Sequence, residues 1–296
     1  MANTKISALP SVTVPAGTDQ FPVNQGGASK KVTLQQISGA GGLFNPVGTS
    51  RISRVDATNI QLNIGVIPLF VNSIWQMKPV TTVVNITNGS LSANTTYFVY
   101  AFDNAGTLTL EIVVTAHATD ATYGVEIKSG DATRTLVGMV RTNASSQFVD
   151  TVIARFVISW FNRKTISGVT PTFAANVTTT STTFVEMATA FRIEFLCWPD
   201  EEVRLYPQLI VTSATAASYA GVDIDAGTSP LHVVAFVSQT NGSMLSSPTV
   251  STLLAEGYHF STISGRTNAT GTLTLNGTTA TAEAACYTVN RMDIRG

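Results

Sequence analysis

The sequence predicts an all-β protein: an N-terminal extended arm with a hairpin, followed by two β-sandwich or barrel domains, jelly-roll-like in outline. Three observations predict it. Charged residues make up only 12% of the chain, against about 25% in ordinary soluble domains. Threonine, serine and asparagine take their place, as in the run over residues 177–183. Threonine and valine suit a pleated, half-buried surface, and 44% hydrophobic content is the reverse of a disordered composition. The second observation is an apolar period of two that recurs along the chain. The third is the turn chemistry that separates those runs.

The arm covers residues 1–45. Pro10, Pro15, Gly17 and Pro22 punctuate it. Residues 19–24 read as a short strand, 25–29 as a turn and 30–34 as the return strand. Residues 35–38 start a helical turn that Gly39, Gly41 and Gly42 end. A lone hairpin is marginal in water, so the arm is expected to order on a partner surface.

The first domain is expected over residues 46–165. Residues 94–102 meet 107–114 through a four-residue loop in which Gly106 supplies a positive φ. On the return strand Leu108, Leu110, Ile112 and Val114 share one face, with Thr107, Thr109 and Glu111 on the other. Residues 97–102 are apolar on both faces, as for a strand between two packed layers or one covered by another subunit. Further strands are expected over 123–128, 134–141 and 152–161, the first two separated by the turn at Ser129, Gly130 and Asp131.

Residues 166–183 read as a connector, and residues 184–296 as the second domain. Over 184–198, Phe191, Ile193, Phe195 and Cys197 fall on one face and Arg192 and Glu194 on the other. Residues 199–202 form an acidic turn, with Asp200, Glu201 and Glu202 as a charged hairpin tip. Strands follow over 203–212, 232–238, 257–263, 271–275 and 278–290, and Asn276-Gly277 is the strongest short hairpin signal. Residues 250–256 are the one helical candidate here. No fixed period repeats, which argues against a solenoid.

Composition also bounds function. A net charge of −1 and a longest basic cluster of Lys30-Lys31 leave no footprint for nucleic acid. The first ten residues lack the apolar core of a secretory signal. No run reaches the ~18 apolar residues of a membrane helix, so membrane insertion is not expected. Cys197 and Cys286 are expected as reduced core thiols. Phosphate-loop, nucleophile-elbow and paired-histidine zinc motifs are missing, and no cofactor, metal or catalytic residue is assigned. His232 and His259 read as packed or surface strand residues and His117 as a solvent-facing loop residue. Asp223 and Asp225 would share a strand face about 7 Å apart; the favoured reading is a solvated turn beside Gly227. Trp198, Tyr219 and Tyr258 are more often core than ligand platform.

A resemblance extends this reading. Thr4-Lys-Ile-Ser-Ala-Leu-Pro10, then residues 17–25 and 29–37, resemble the N-terminal segment of bacteriophage tail-fibre and head-fibre proteins. The stretch from Tyr97 to Gly106, on through Gly138-Met-Val-Arg141 and residues 156–163, is similar to a β module of prophage tail proteins. Glu256-Gly-Tyr-His-Phe260 with its threonine-rich closing hairpin is similar to terminal phage-fibre sandwiches. No coiled-coil or collagen-like shaft accompanies them, which favours a short appendage. The resemblance implies a non-enzymatic virion component assembled in the bacterial cytoplasm. It also implies attachment to portal, adaptor, tail or capsid through Phe21, Pro22, Val23, Lys30, Lys31, Val32 and Leu34. A homotrimer is the habit of that family. The alternatives are a receptor-binding protein whose C-terminal tip grips a host glycan or protein, and a capsid decoration protein; a hydrolase ranks last.

Overall fold

The structure, a computed structural model, describes residues 20–25, 28–33, 47–213, 217–225, 228, 230–237, 243–246, 249–268, 271–278 and 288–296. The described chain is all-β, with one 3-10 turn, Thr189–Phe191, as its named helical element. The hairpin of the arm is present: Gln20–Gln25 pairs antiparallel with Ala28–Thr33, from Gln20 opposite Thr33 to Gln25 opposite Ala28.

The first block holds three sheets. Ile52–Arg54, Asn59–Leu62 and Val84–Thr87 make one. Gly65–Val71 and Ile74–Val80 form a hairpin. The largest sheet runs His117–Thr119, Glu126–Lys128, Asp131–Arg141, Thr96–Asn104, Thr107–Val113, with Val157–Ser159 also on Asp131–Arg141. Alternation puts Tyr97, Val99 and Ala101 into a core with Ile52, Ile60, Leu62 and Val137. The other face of the same strand sends Tyr100 and Phe98 into a second cluster. The doubly apolar strand is therefore central, covered by the chain itself.

The loop after it is shorter than expected. Asn104 pairs with Thr107, leaving only Ala105 (φ 50°) and Gly106 (φ 90°) as loop residues. Two positive φ values match the right-handed twist of the flanking strands. The Asn72-Ser73 hairpin, which the sequence reading passed over, repeats the geometry at φ 51° and 62°.

In the second block a seven-stranded sheet runs Asp150–Thr151, Ala154–Arg155, Ile193–Cys197, Gly257–Thr267, Ser218–Ile224, His232–Val237, with Val185–Glu186 also on Gly257–Thr267. Two four-stranded sheets accompany it. One orders Thr165–Val169, Arg291–Arg295, Glu202–Leu205 and Val250–Leu253; the other orders Val177–Thr179, Leu273–Leu275, Leu209–Ser213 and Ser243–Ser246. Phe195, Val203, Leu205, Val222 and Met292 pack where the first faces the large sheet. Phe191, Leu209, Val211, Ile263 and Leu273 do so for the second.

Four expectations change here. The stretch 166–183 is not a bare connector: Thr165–Val169 pairs with Arg291–Arg295, and Val177–Thr179 with Leu273–Leu275. Residues 152–161 are not one strand, because the chain crosses between sheets there: Ala154–Arg155 runs parallel to Glu194 and Phe195, whereas Val157–Ser159 pairs with Gly138–Val140. The helical candidate at 250–256 holds a strand, Val250–Leu253, paired with Glu202–Leu205. Asn276 and Gly277 do not take positive φ. Gly277 instead lets the backbone approach Ala175, whose carbonyl oxygen would lie 2.5 Å from an added Cβ. The expected return strand over 278–290 falls mostly outside the described residues.

Candidate functional site

The densest chemistry lies on the seam between the two blocks. Strand Ile193–Cys197 is buried on both faces. Ile193, Phe195 and Cys197 enter the second block's core. Leu196 and the following Trp198 turn toward Tyr100, Leu136, Met139 and Ile158 of the first block. Trp198 is fully buried, meets the Trp160 ring edge-on with centroids 4.9 Å apart, and donates from Nε1 to Ser159 O at 3.0 Å. A buried indole needs that acceptor.

Charges ring this apolar contact. Arg163 lies over the Trp160 ring, 4.3 Å from its centroid, and donates to Asp200 Oδ1 and Glu201 Oε1 at 2.9 Å each. Glu201 is 4% exposed. Burial raises its carboxyl above the usual range, against the pull of Arg163, and its Oε2 has no hydrogen-bond partner among the described residues. Arg141 sits 3.9 Å over the Tyr258 ring, whose hydroxyl donates to Glu194. Such cation–π contacts are worth about 0.5–2 kcal/mol as desolvation increases.

His117 spans the seam. Its Nδ1 lies 2.5 Å from Glu126 Oε2 and its Nε2 lies 2.7 Å from Glu256 Oε2. Phe98, Trp160 and Trp198 surround the ring. A neutral imidazole has one N–H, so it can satisfy only one of two carboxylates; both contacts together require the imidazolium. The hydrogen bond to Glu256, followed by that to Glu126, raises the His117 pKa against the opposing effect of burial. The expectation of a solvent-facing loop residue is corrected: His117 sits on a strand and is mostly covered. Its partner Glu256 is 139 residues away, and no local pattern announces such a contact.

The other sequence candidates disperse. Asp223 is buried within Ser218–Ile224, while Asp225 lies just beyond that strand at φ 67°. Asp225 accepts from Phe260 N at 3.0 Å and lies 2.6 Å from His259 Nδ1. The two carboxylates thus occupy different environments, and the favoured solvated turn is corrected for Asp223. His259 packs in its strand opposite Phe195, with Nε2 2.9 Å from Ala255 O. His232 lies on a strand; its side chain is outside the described residues. Residues 200–202 are not a hairpin tip, because the strands on either side belong to different sheets and Glu201 points inward. Tyr219 stacks under Arg266, 4.3 Å away. Cys197 is a free, buried thiol, pushed up to about 12 mainly by burial; Cys286 lies outside the described residues. Of the attachment residues, Phe21, Pro22, Val23, Lys30, Lys31 and Val32 fall on the hairpin, with Phe21 opposite Val32, Pro22 opposite Lys31 and Val23 opposite Lys30. Lys31 is exposed, and Leu34 lies outside the described residues.

No protein-family model matches the chain. No curated protein matches it either. Among solved structures it is similar to a chain of infectious bursal disease virus Gx strain, at 11% identity and TM-score 0.25, over 84% of this chain and 74% of that one. A chain of the T13 particle of the same virus gives 12% identity and TM-score 0.25, over 95% and 67%. A Bacillus thuringiensis Cry1Da tryptic core variant gives 8% identity and TM-score 0.20, over 79% and 51%. Likeness at this level carries neither fold nor function across. What the chain does is to be read from its own geometry.

The seam unites two sets of sheets through an apolar cluster, a buried indole hydrogen bond and an ionic bracket.

Proposed function

We propose that the chain is a structural component of a tailed-bacteriophage virion. In this reading it is a short fibre or appendage subunit, attached to the tail or head–tail connector through residues 1–45. One observation carries the proposal: the two blocks share a continuous apolar seam, whereas the hairpin Gln20–Gln25 with Ala28–Thr33 joins no sheet of the body among the described residues. A body fused in this way suits load-bearing, and a hairpin too small to be stable alone suits docking onto a larger assembly. The resemblance of residues 4–37 to phage attachment segments supports the same division of labour. The chain is not an enzyme in this reading, and its partners are other virion proteins.

The homotrimer belongs to the proposal through the resemblance alone, since the doubly apolar strand is covered within the chain. Light scattering at micromolar concentration tests it: a trimeric mass is expected, and a clean monomer removes it. A host-gripping C-terminal tip remains the alternative, but Trp198 is core and Tyr219 and Tyr258 already carry arginines over their rings.

The attachment role is tested by assembling particles with a chain lacking residues 1–40. The expected result is a folded β body, verified by circular dichroism, that is missing from purified particles. Incorporation at the full-length level overturns the anchor.

A further inference from the structure

The hairpin Gln20–Gln25 with Ala28–Thr33 has two outer edges, and its register makes them unequal. Only two residues separate Gln25 from Ala28, and these two face each other as a ladder pair. A pair that closes so short a loop must exchange both of its main-chain hydrogen bonds. Bonded and non-bonded pairs then alternate along an antiparallel ladder. Val23 with Lys30 and Phe21 with Val32 are therefore bonded pairs. Asn24 with Ser29, Pro22 with Lys31 and Gln20 with Thr33 turn their main-chain groups outward.

Proline at position 22 removes no bond from inside the hairpin, because its nitrogen faces out. It does remove the central donor from the outer edge of Gln20–Gln25, and a proline so placed blocks further pairing. The outer edge of Ala28–Thr33 is intact. Ser29, Lys31 and Thr33 each turn an N–H and a C=O outward, and no further strand joins them among the described residues. A row of donors and acceptors at strand spacing is matched by another extended strand.

We propose that Ala28–Thr33 docks by strand addition, its outer edge pairing with an exposed edge strand of another virion protein. The inference rests on the attachment role of residues 1–45 and names the mode of that attachment. Charge and register argue against a second copy of this chain as the occupant. Outward groups must meet outward groups, so antiparallel self-pairing in full overlap sets Lys31 against Lys31 of the other copy. Like charges directly opposite destabilise such a pair, and Lys31 is exposed. Pairing with the other copy's Gln20–Gln25 instead meets the edge that Pro22 blocks. The complementary occupant is an edge strand of a different protein, with a carboxylate opposite Lys31.

Competition for places on the particle tests it. Full-length wild-type and variant chains are co-expressed at equal levels, and mass spectrometry of density-purified particles reads their ratio. Lys31→Pro deletes the central outward N–H and spares the internal ladder, as Pro22 does directly across from it. Its share should fall about tenfold or more below that of wild type, by the loss of a main-chain hydrogen bond and the clash of the ring. Lys31→Ala keeps the N–H and should fall by about fivefold at most, the worth of a cross-strand charge pair. Asn24→Pro puts the same ring at an outward position of the blocked edge and should stay within about twofold of wild type. Equal shares of Lys31→Pro and wild type overturn strand addition. Equal losses in Lys31→Pro and Asn24→Pro overturn the choice of edge. Either result leaves the anchor role standing as long as a chain lacking residues 1–40 is excluded from the particles; its equal incorporation overturns both. A lower mass of purified Lys31→Pro than of wild type by light scattering shows pairing between copies and overturns the occupant.

Discussion

Trp198 concentrates the problem of joining two β blocks into one side chain. Its ring packs in one cluster with Leu196 and Trp160, Tyr100 and Met139, and its one polar atom is satisfied by Ser159. Trp198→Ala is expected to cost about 3–5 kcal/mol through lost burial and the cavity left behind, read from chemical denaturation; a loss below about 1 kcal/mol would show that the seam is not integral. His117 gives the seam a pH dependence. Its folded pKa is raised above the ordinary value, so its contribution is fully present below about pH 6.5 and is lost as pH rises through the folded pKa. Buried Glu201 and partly buried Asp150, whose pKa values are raised, also contribute stability that is lost with rising pH. The His117 effect is therefore read as wild type minus His117→Gln. That difference should be about 1.5–3 kcal/mol at about pH 5.5, by the worth of a hydrogen bond to a charged group, and shrink by about pH 9. A pH-independent difference would contradict the bracket.

At the scale of elements, the sequence made most strands legible because a half-buried strand writes its alternation into local order. The pair Thr96–Asn104 and Thr107–Val113 shows this, down to Leu110 in the core. Ala154–Arg155 and Val157–Ser159 defeated the same reading: the single alternating run expected over 152–161 is divided between two sheets, and partner choice is not a local property. Local patterns fail likewise for the seam, where the ionic partners His117 and Glu256 lie far apart in sequence. The Ala105-Gly106 turn supports a test at this scale. A non-glycine residue at positive φ costs roughly 1–2 kcal/mol, which asparagine tolerates better. Ala105→Asn should therefore raise stability by about 1 kcal/mol, seen as a higher Tm; an unchanged or lowered Tm would contradict the two-residue turn.

For the whole molecule, the low charge that first suggested pleated layers has a second consequence. Charged groups are scarce, so cohesion depends mainly on apolar packing, with ion pairs both at the seam, as for Arg163 with Glu201, and within a block, as for Lys128 with Glu111 and Arg192 with Glu186. The sequence could not show that the two blocks cover each other's apolar stripes, because that depends on the tertiary path. It did show that the leader differs from the rest, and the hairpin formed there joins no sheet of the body among the described residues. The measurement closest to the heart of the account is quantitative mass spectrometry of density-purified phage particles from cells that express the intact chain. A fixed, stoichiometric number of copies per particle is the predicted result. Recovery of the protein only in the particle-free fraction would contradict it.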